Sequence, residues 1–296
     1  MSTVAFIGLG NMGSGMCANL CRAGIKVRAF DLSREAMDRA AEAGAQLAES
    51  ADAAAAGAEI VVTMLPAGTH VLDVYFDTGK VARTATPGAL FIDCSTIAVE
   101  DARTAHARAR EAGFALVDAP VSGGVAAAEA GSLTFMVGGE VADFERARPI
   151  LEAMGKNIFH AGGAGNGQAA KIANNMLLGV SMIATCEAFN LAERLGLDAQ
   201  TFFDISSKAS GQCWSMTTYC PAPGPVPAAP SNRDYQPGFS VAMMLKDLKL
   251  AMGAAAGAGA DTDFGKAAEQ AYQALADAGH GDRDFSIPML GLKGEL

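Results

Sequence analysis

Half of the 296 residues are hydrophobic, 18% are charged and 6% are aromatic, a composition that can bury a large core and excludes a disordered chain. Lys and Arg total 22 against 32 Asp and Glu, a formal charge of −10, which disfavours approach to nucleic-acid phosphates or an anionic bilayer. Neither nucleic acid nor a membrane is therefore expected as a partner, and the length suits two ordinary domains.

From residue 4 to about 160, short β-branched or aromatic runs alternate with longer Ala-, Glu- and Arg-rich stretches, the rhythm of strand–helix–strand units around a parallel sheet. The predicted strands are Val4–Ile7, Val27–Phe30, Ile60–Met64, Leu90–Asp93, Ala115–Asp118, Thr134–Val137 and Asn157–His160. Each is apolar enough to lack a solvent face, so the expected fold is α/β with a doubly wound parallel sheet buried on both sides. Strand signals stop after Gly162-Gly163, and Gly167 to about Leu195 reads as one long helix, followed by further helical segments. The expected boundary separates a domain 1–163 from an all-helical domain 164–296.

The apolar stretch Ala169 to Ala184 contains Lys171, Asn174 and Asn175, which favours a buried helix over a membrane span. Six of the eleven prolines lie between Pro221 and Pro237, a segment that can be neither helix nor central strand. It reads either as a surface excursion or as a loop packed down by Cys213, Trp214 and Tyr219 just upstream. The six cysteines, Cys17, Cys21, Cys94, Cys186, Cys213 and Cys220, form no metal-binding or redox pair and read as buried thiols of a reducing compartment. His70, His106, His160 and His280 show no metal spacing, so no metal is expected. The first residues enter a strand with no targeting pattern, which makes the cytoplasm the expected location.

Gly8-Leu9-Gly10-Asn11-Met12-Gly13 follows the first strand and opens a helix, and Asp31 ends the second strand 18 residues past Gly13. In that context Gly8 allows a tight turn, Gly10 lets amides approach a pyrophosphate, and Gly13 allows close helix–strand packing. Asp31 can accept both ribose hydroxyls and would repel a 2′-phosphate, which favours NAD over NADP; Arg34 just beyond it weighs slightly the other way. A glycine turn in another nucleoside-binding α/β protein stays open. Leu65 and Pro66 after the third strand, and Thr96 after the fourth, fall where ligands of such sheets bind.

Ser122, Gly123 and Gly124 follow the fifth strand. They are either an ordinary glycine loop or a cradle for a carboxylate. Lys171 and Asn175 share a helical face; Lys171 is either a snorkelling surface lysine or a desolvated general acid/base with Asn175 orienting a reacting hydroxyl. Lys246, in Lys246-Asp247-Leu248-Lys249, is either solvated or turned into the site. Trp214, with Cys213, is either an apolar wall for a substrate methyl or core packing.

In order, GLGNMGSGMCANL, FDLS, TMLP, DCSTI, DAPVSGG, GNGQAAKIANNM and KDLKLA resemble the β-hydroxyacid dehydrogenases over essentially the whole chain. The segment SGQCWSMTTYCPAPGPVP looks most like the members that oxidise the methyl-branched 3-hydroxy acid of valine breakdown. The resemblance implies an N-terminal Rossmann domain joined by a long helix to a helical C-terminal domain, NAD as cofactor, and a homodimer or homotetramer. It also implies Lys171 as catalytic lysine with Asn175 as its partner, Ser122, Gly123 and Gly124 on the substrate carboxylate, and Lys246 near nicotinamide and substrate. Cys17 stands where the family more often has alanine or serine. A tartronate-semialdehyde or succinic-semialdehyde reductase of the same family, or a non-catalytic dinucleotide-binding protein, are the alternatives.

Overall fold

A computed structural model describes residues 3–296. The chain divides into two compact units, one ending at Lys171 and the other spanning Ile172–Leu296.

The first unit is a nine-stranded sheet: β1 Thr3–Ile7, β2 Lys26–Phe30, β3 Gln46–Leu47, β4 Ile60–Thr63, β5 Leu90–Asp93, β6 Ala115–Asp118, β7 Val121–Ser122, β8 Leu133–Gly138 and β9 Gly155–Gly162. The order is β3-β2-β1-β4-β5-β6-β8-β7, with β9 paired to β8. From β3 through β6 every pairing is parallel. Between the elements run helices such as Asn11–Arg22, Arg34–Glu42 and Val99–Glu111. Side chains alternate between two cores: Val4 and Phe6 enter one, Ala5 and Ile7 the other. The chain leaves β1 toward β2 on one side and returns to β4 on the other, so a crevice opens beyond the C-terminal ends of β1 and β4.

Three expectations need correction. The sheet is not parallel throughout, because β8 runs antiparallel to β6 and to β7, which follows from the short path between them. Nor does every strand lack a solvent face: β9 is held through β8 alone, and Phe159 on it is 61% exposed. The cysteines are all free, but Cys21 and Cys213 are half-buried rather than buried.

The long helix runs Asn166–Arg194 and contains the division between the units. By length and composition it could cross a membrane, and its most apolar window is only 39% buried, less than expected for a core helix. Leu177 and Leu191 are exposed on it, whereas Gln168, Lys171 and Asn175 are buried. In the second unit Met182, Cys186 and Phe189 from this helix pack with Met244 and Leu248 of the helix Val241–Ala258 and with Tyr272, Phe285 and Ile287.

The Pro-rich segment is packed down. Ala222, Ala229 and Tyr235 are buried, Tyr235 donates its hydroxyl to the Pro221 carbonyl at 2.7 Å, and Ser231 donates to the Cys220 carbonyl at 2.7 Å. Buried Asp284 accepts from the Tyr219 hydroxyl at 2.8 Å and the Gly238 amide at 3.0 Å, pinning both ends of the excursion.

Candidate active site

The turn after β1 has the tight geometry its glycines require. Gly8 has φ +98°, and a Cβ on Gly13 would run into the Gly8 carbonyl, so the first helix starts directly against the strand end. Gly10 is exposed with open space where a Cβ would project, and it caps the helix Asn11–Arg22 without a side-chain hydrogen bond. The helix N-terminus therefore presents amides and partial positive charge to a pyrophosphate. Asn11 is exposed and Met12 half-buried at that terminus. Asp31, half-buried at the end of β2, accepts from the Leu9 amide at 2.6 Å and the Ser33 amide at 2.7 Å. Each carboxylate oxygen has a second lone pair, which is the capacity a ribose diol needs. A glycine cradle, a helix N-terminus and an acid at the end of β2 fit a dinucleotide.

Leu65 is half-buried and Pro66 exposed beyond β4, on the next strand of the crevice. The Leu65 amide donates to the Ser95 hydroxyl at 2.8 Å, which links this loop to the one after β5 that carries half-buried Thr96. Beneath them lies Asp93. Its Oδ1 accepts from Thr63 at 2.8 Å and from the Ser95 hydroxyl at 2.6 Å, while its buried Oδ2 has no hydrogen-bond partner among the described residues. Burial pushes this carboxyl up to about 6 from 3.8, against the hydrogen bonds from Ser95 and Thr63.

Ser122 is half-buried in β7, and Gly123 and Gly124 follow with φ +138° and +70°. The helix they lead into, Gly124–Ala130, is tied to the nucleotide helix by Asn19, whose amide donates to the Ala128 carbonyl at 2.6 Å. Lys171 is 7% exposed, so it is not a snorkelling surface lysine.

Within the second unit Asn175 is 2% exposed and donates to Asp247 Oδ2 at 2.5 Å, while accepting from Asn174 at 3.0 Å. Its amide is thereby oriented by two neighbours. Lys246 is half-buried, whereas Lys249 is solvated. Trp214, on the short helix Trp214–Thr217, is 48% exposed and stacks on Tyr219 with ring centroids 5.1 Å apart.

Four buried polar residues are not singled out by the sequence motifs. Asp247 is buried; the signal was an acid on the apolar stripe of Met244, Leu248 and Ala251. Asp93 and Asp118 end adjacent parallel strands in register, and both are buried. Gln168 is buried in the first turn of the long helix.

Strand order, crevice and glycine turn together define a dinucleotide-binding α/β protein with a helical second unit. Residues 3–163 match the family described as the NAD binding domain of 6-phosphogluconate dehydrogenase, and residues 165–290 that described as NAD-binding of NADP-dependent 3-hydroxyisobutyrate dehydrogenase. A probable 3-hydroxyisobutyrate dehydrogenase of Mycobacterium tuberculosis is 53% identical over 97% of this chain and 96% of its own. An NAD-dependent L-serine dehydrogenase of Pseudomonas aeruginosa is 48% identical over the same shares. The solved structure of the Mycobacterium tuberculosis 3-hydroxyisobutyrate dehydrogenase with L-serine superposes with a TM-score of 0.94 at 51% identity, covering 99% of both chains.

The chain belongs to the β-hydroxyacid dehydrogenase family, in the group of the 3-hydroxyisobutyrate dehydrogenases. It is a dehydrogenase that uses an NAD-type dinucleotide.

Proposed function

We propose that this chain oxidises 3-hydroxyisobutyrate to methylmalonate semialdehyde, a step of valine breakdown, with NAD preferred over NADP. The observation that carries the reading is a buried lysine, Lys171, one helical turn before a buried and oriented asparagine, Asn175. Full-length relatives bearing that activity in their names support it.

A bound NAD would supply the acceptor for the hydride that leaves the carbon carrying the hydroxyl. Lys171 accepts the hydroxyl proton through Nζ, so that the C–O bond becomes a carbonyl and the products are the semialdehyde, reduced cofactor and one proton. Asn175, held by Asp247, orients the reacting oxygen. Ser122 and the amides of Gly123 and Gly124 hold the substrate carboxylate, with Lys246 adding positive charge. The exposed face of Trp214 packs on the methyl branch. Residues 1–163 serve the cofactor and 164–296 the substrate and association into a homodimer or homotetramer, for which exposed Leu177, Leu191 and Leu195 supply apolar surface. The cytoplasm is the proposed location.

A second reading, L-serine as substrate, is favoured by the 48% identical L-serine dehydrogenase and by the L-serine in the solved relative. The two acids differ only at C2, methyl in one and ammonium in the other.

Lys171→Ala tests the mechanism. It is expected to bind NADH as the parent does while turnover falls about 10²–10⁴-fold. Near-parental turnover would remove Lys171 from the proton transfer.

A further inference from the structure

The first turn of the long helix is fastened to the strand ends in a way that the sequence motifs do not disclose. Asp118 ends β6 fully buried. Its Oδ1 accepts from His106 Nε2 at 2.8 Å and from the Gly165 amide at 2.9 Å, and its Oδ2 accepts from the Gln168 amide at 2.9 Å. Helix N-termini carry amides without intrahelical partners and a partial positive charge. Here a carboxylate from a neighbouring strand satisfies one of them, the Gln168 amide, together with the Gly165 amide just before the helix.

The second tether is the Gln168 side chain. Its Nε2 donates to the Ser95 carbonyl at 2.7 Å and its Oε1 accepts from the Ile97 amide at 3.1 Å. Ser95 in turn accepts from the Leu65 amide, so one glutamine is joined to the loops after both β4 and β5. Steric closeness removes the remaining slack: a Cβ on Gly167 would lie 2.5 Å from the Asp118 carbonyl oxygen, and one on Gly138 would lie 2.6 Å from Asp118 Oδ1.

Lys171 follows Gln168 by three residues and so rides on the same face of the same turn. We infer that Gln168, and Asp118 oriented by His106, are positioning residues that set the rotation and advance of this turn and thereby the place of Lys171 Nζ. The inference rests on the reading of Lys171 as proton carrier. Misplacement of a reacting group by about 1 Å costs on the order of 10²-fold in rate. His106 is accordingly part of a positioning chain.

The test compares Gln168→Leu, His106→Leu and His106→Gln with the parent and with Lys171→Ala. The measurements are thermal midpoint, NADH affinity, kcat, KM and the pH profile of kcat. Gln168→Leu and His106→Leu are expected to lower kcat about tenfold or more at KM and NADH affinity within about twofold, and to displace the pH profile. His106→Gln keeps an N–H toward Asp118 and is expected to restore most of kcat. Unchanged kcat in the folded leucine variants would overturn the inference. So would a loss that follows only the folded fraction, with the parental pH profile and no rescue by His106→Gln. If Gln168→Leu fails to fold, the His106 pair decides alone. Turnover retained by Lys171→Ala would instead remove the underlying mechanism, and the inference with it.

Discussion

In the proposed reading Asp31 favours NAD, because a carboxylate at the end of β2 would repel a 2′-phosphate. Arg34, the nearby cation, is held by Asp38 at 3.0 Å. Asp31→Ala is expected to narrow the ratio of kcat/KM for NAD over NADP by at least tenfold; an unchanged ratio would mean that Asp31 does not meet the ribose. Asp93 makes a different kind of prediction. Because its carboxyl is pushed up to about 6 in the folded chain, the folded state keeps a proton that the unfolded chain has released above 3.8. Its contribution to stability is fully present below 3.8 and is lost as pH rises through 6, a change on the order of 3 kcal/mol. Asp93→Asn should remove that slope, so denaturant midpoints of parent and variant, compared at pH 4 and pH 7, should shift relative to each other; parallel midpoints would contradict it. The glycine turn and Lys171 were legible because they depend on neighbours close in sequence. Asp118 and Gln168 were not, since their partners lie 50 and 71 positions away.

Among the elements, β1, β2, β4, β5 and β6 were legible for a physical reason. Central parallel strands are covered on both faces and read as short apolar runs, interrupted here by Arg28 within β2 and closed by the polar C-terminal residues of β4, β5 and β6. The two-residue strands β3 and β7 are too short to carry a period, and the antiparallel sense of β8 depends on the path of the loop before it. Composition alone also left the Pro-rich segment undecided. Its fixation depends on Asp284, which lies 65 positions from Tyr219 and 46 from Gly238. Asp284 also accepts from the Ser286 hydroxyl at 2.6 Å, and the whole carboxylate is buried. Asp284→Ala would strand several buried donors at about 1–3 kcal/mol each. Calorimetry is expected to show a transition lowered by several degrees, and faster proteolysis within residues 221–237. A parental midpoint with parental protease resistance would mean that the segment is held by its apolar contacts alone.

At the scale of the whole molecule, one unit supplies a dinucleotide crevice and the other a helical core with its own polar cluster at Asn175 and Asp247. The family determines the reaction as a dehydrogenation, and the open choice is what stands at C2 of the acid. In the proposed reading the half-exposed face of Trp214, stacked on Tyr219, meets a methyl group. The most direct measurement is the initial rate of NAD reduction by the purified protein with racemic 3-hydroxyisobutyrate, L-serine, D-glycerate and 3-hydroxypropionate under one set of conditions. The expected result is the highest kcat/KM for 3-hydroxyisobutyrate, with 3-hydroxypropionate lower by about the factor of 10 that one buried methyl group can supply. A higher kcat/KM for L-serine or D-glycerate would contradict the account and move the assignment to another 3-hydroxy acid.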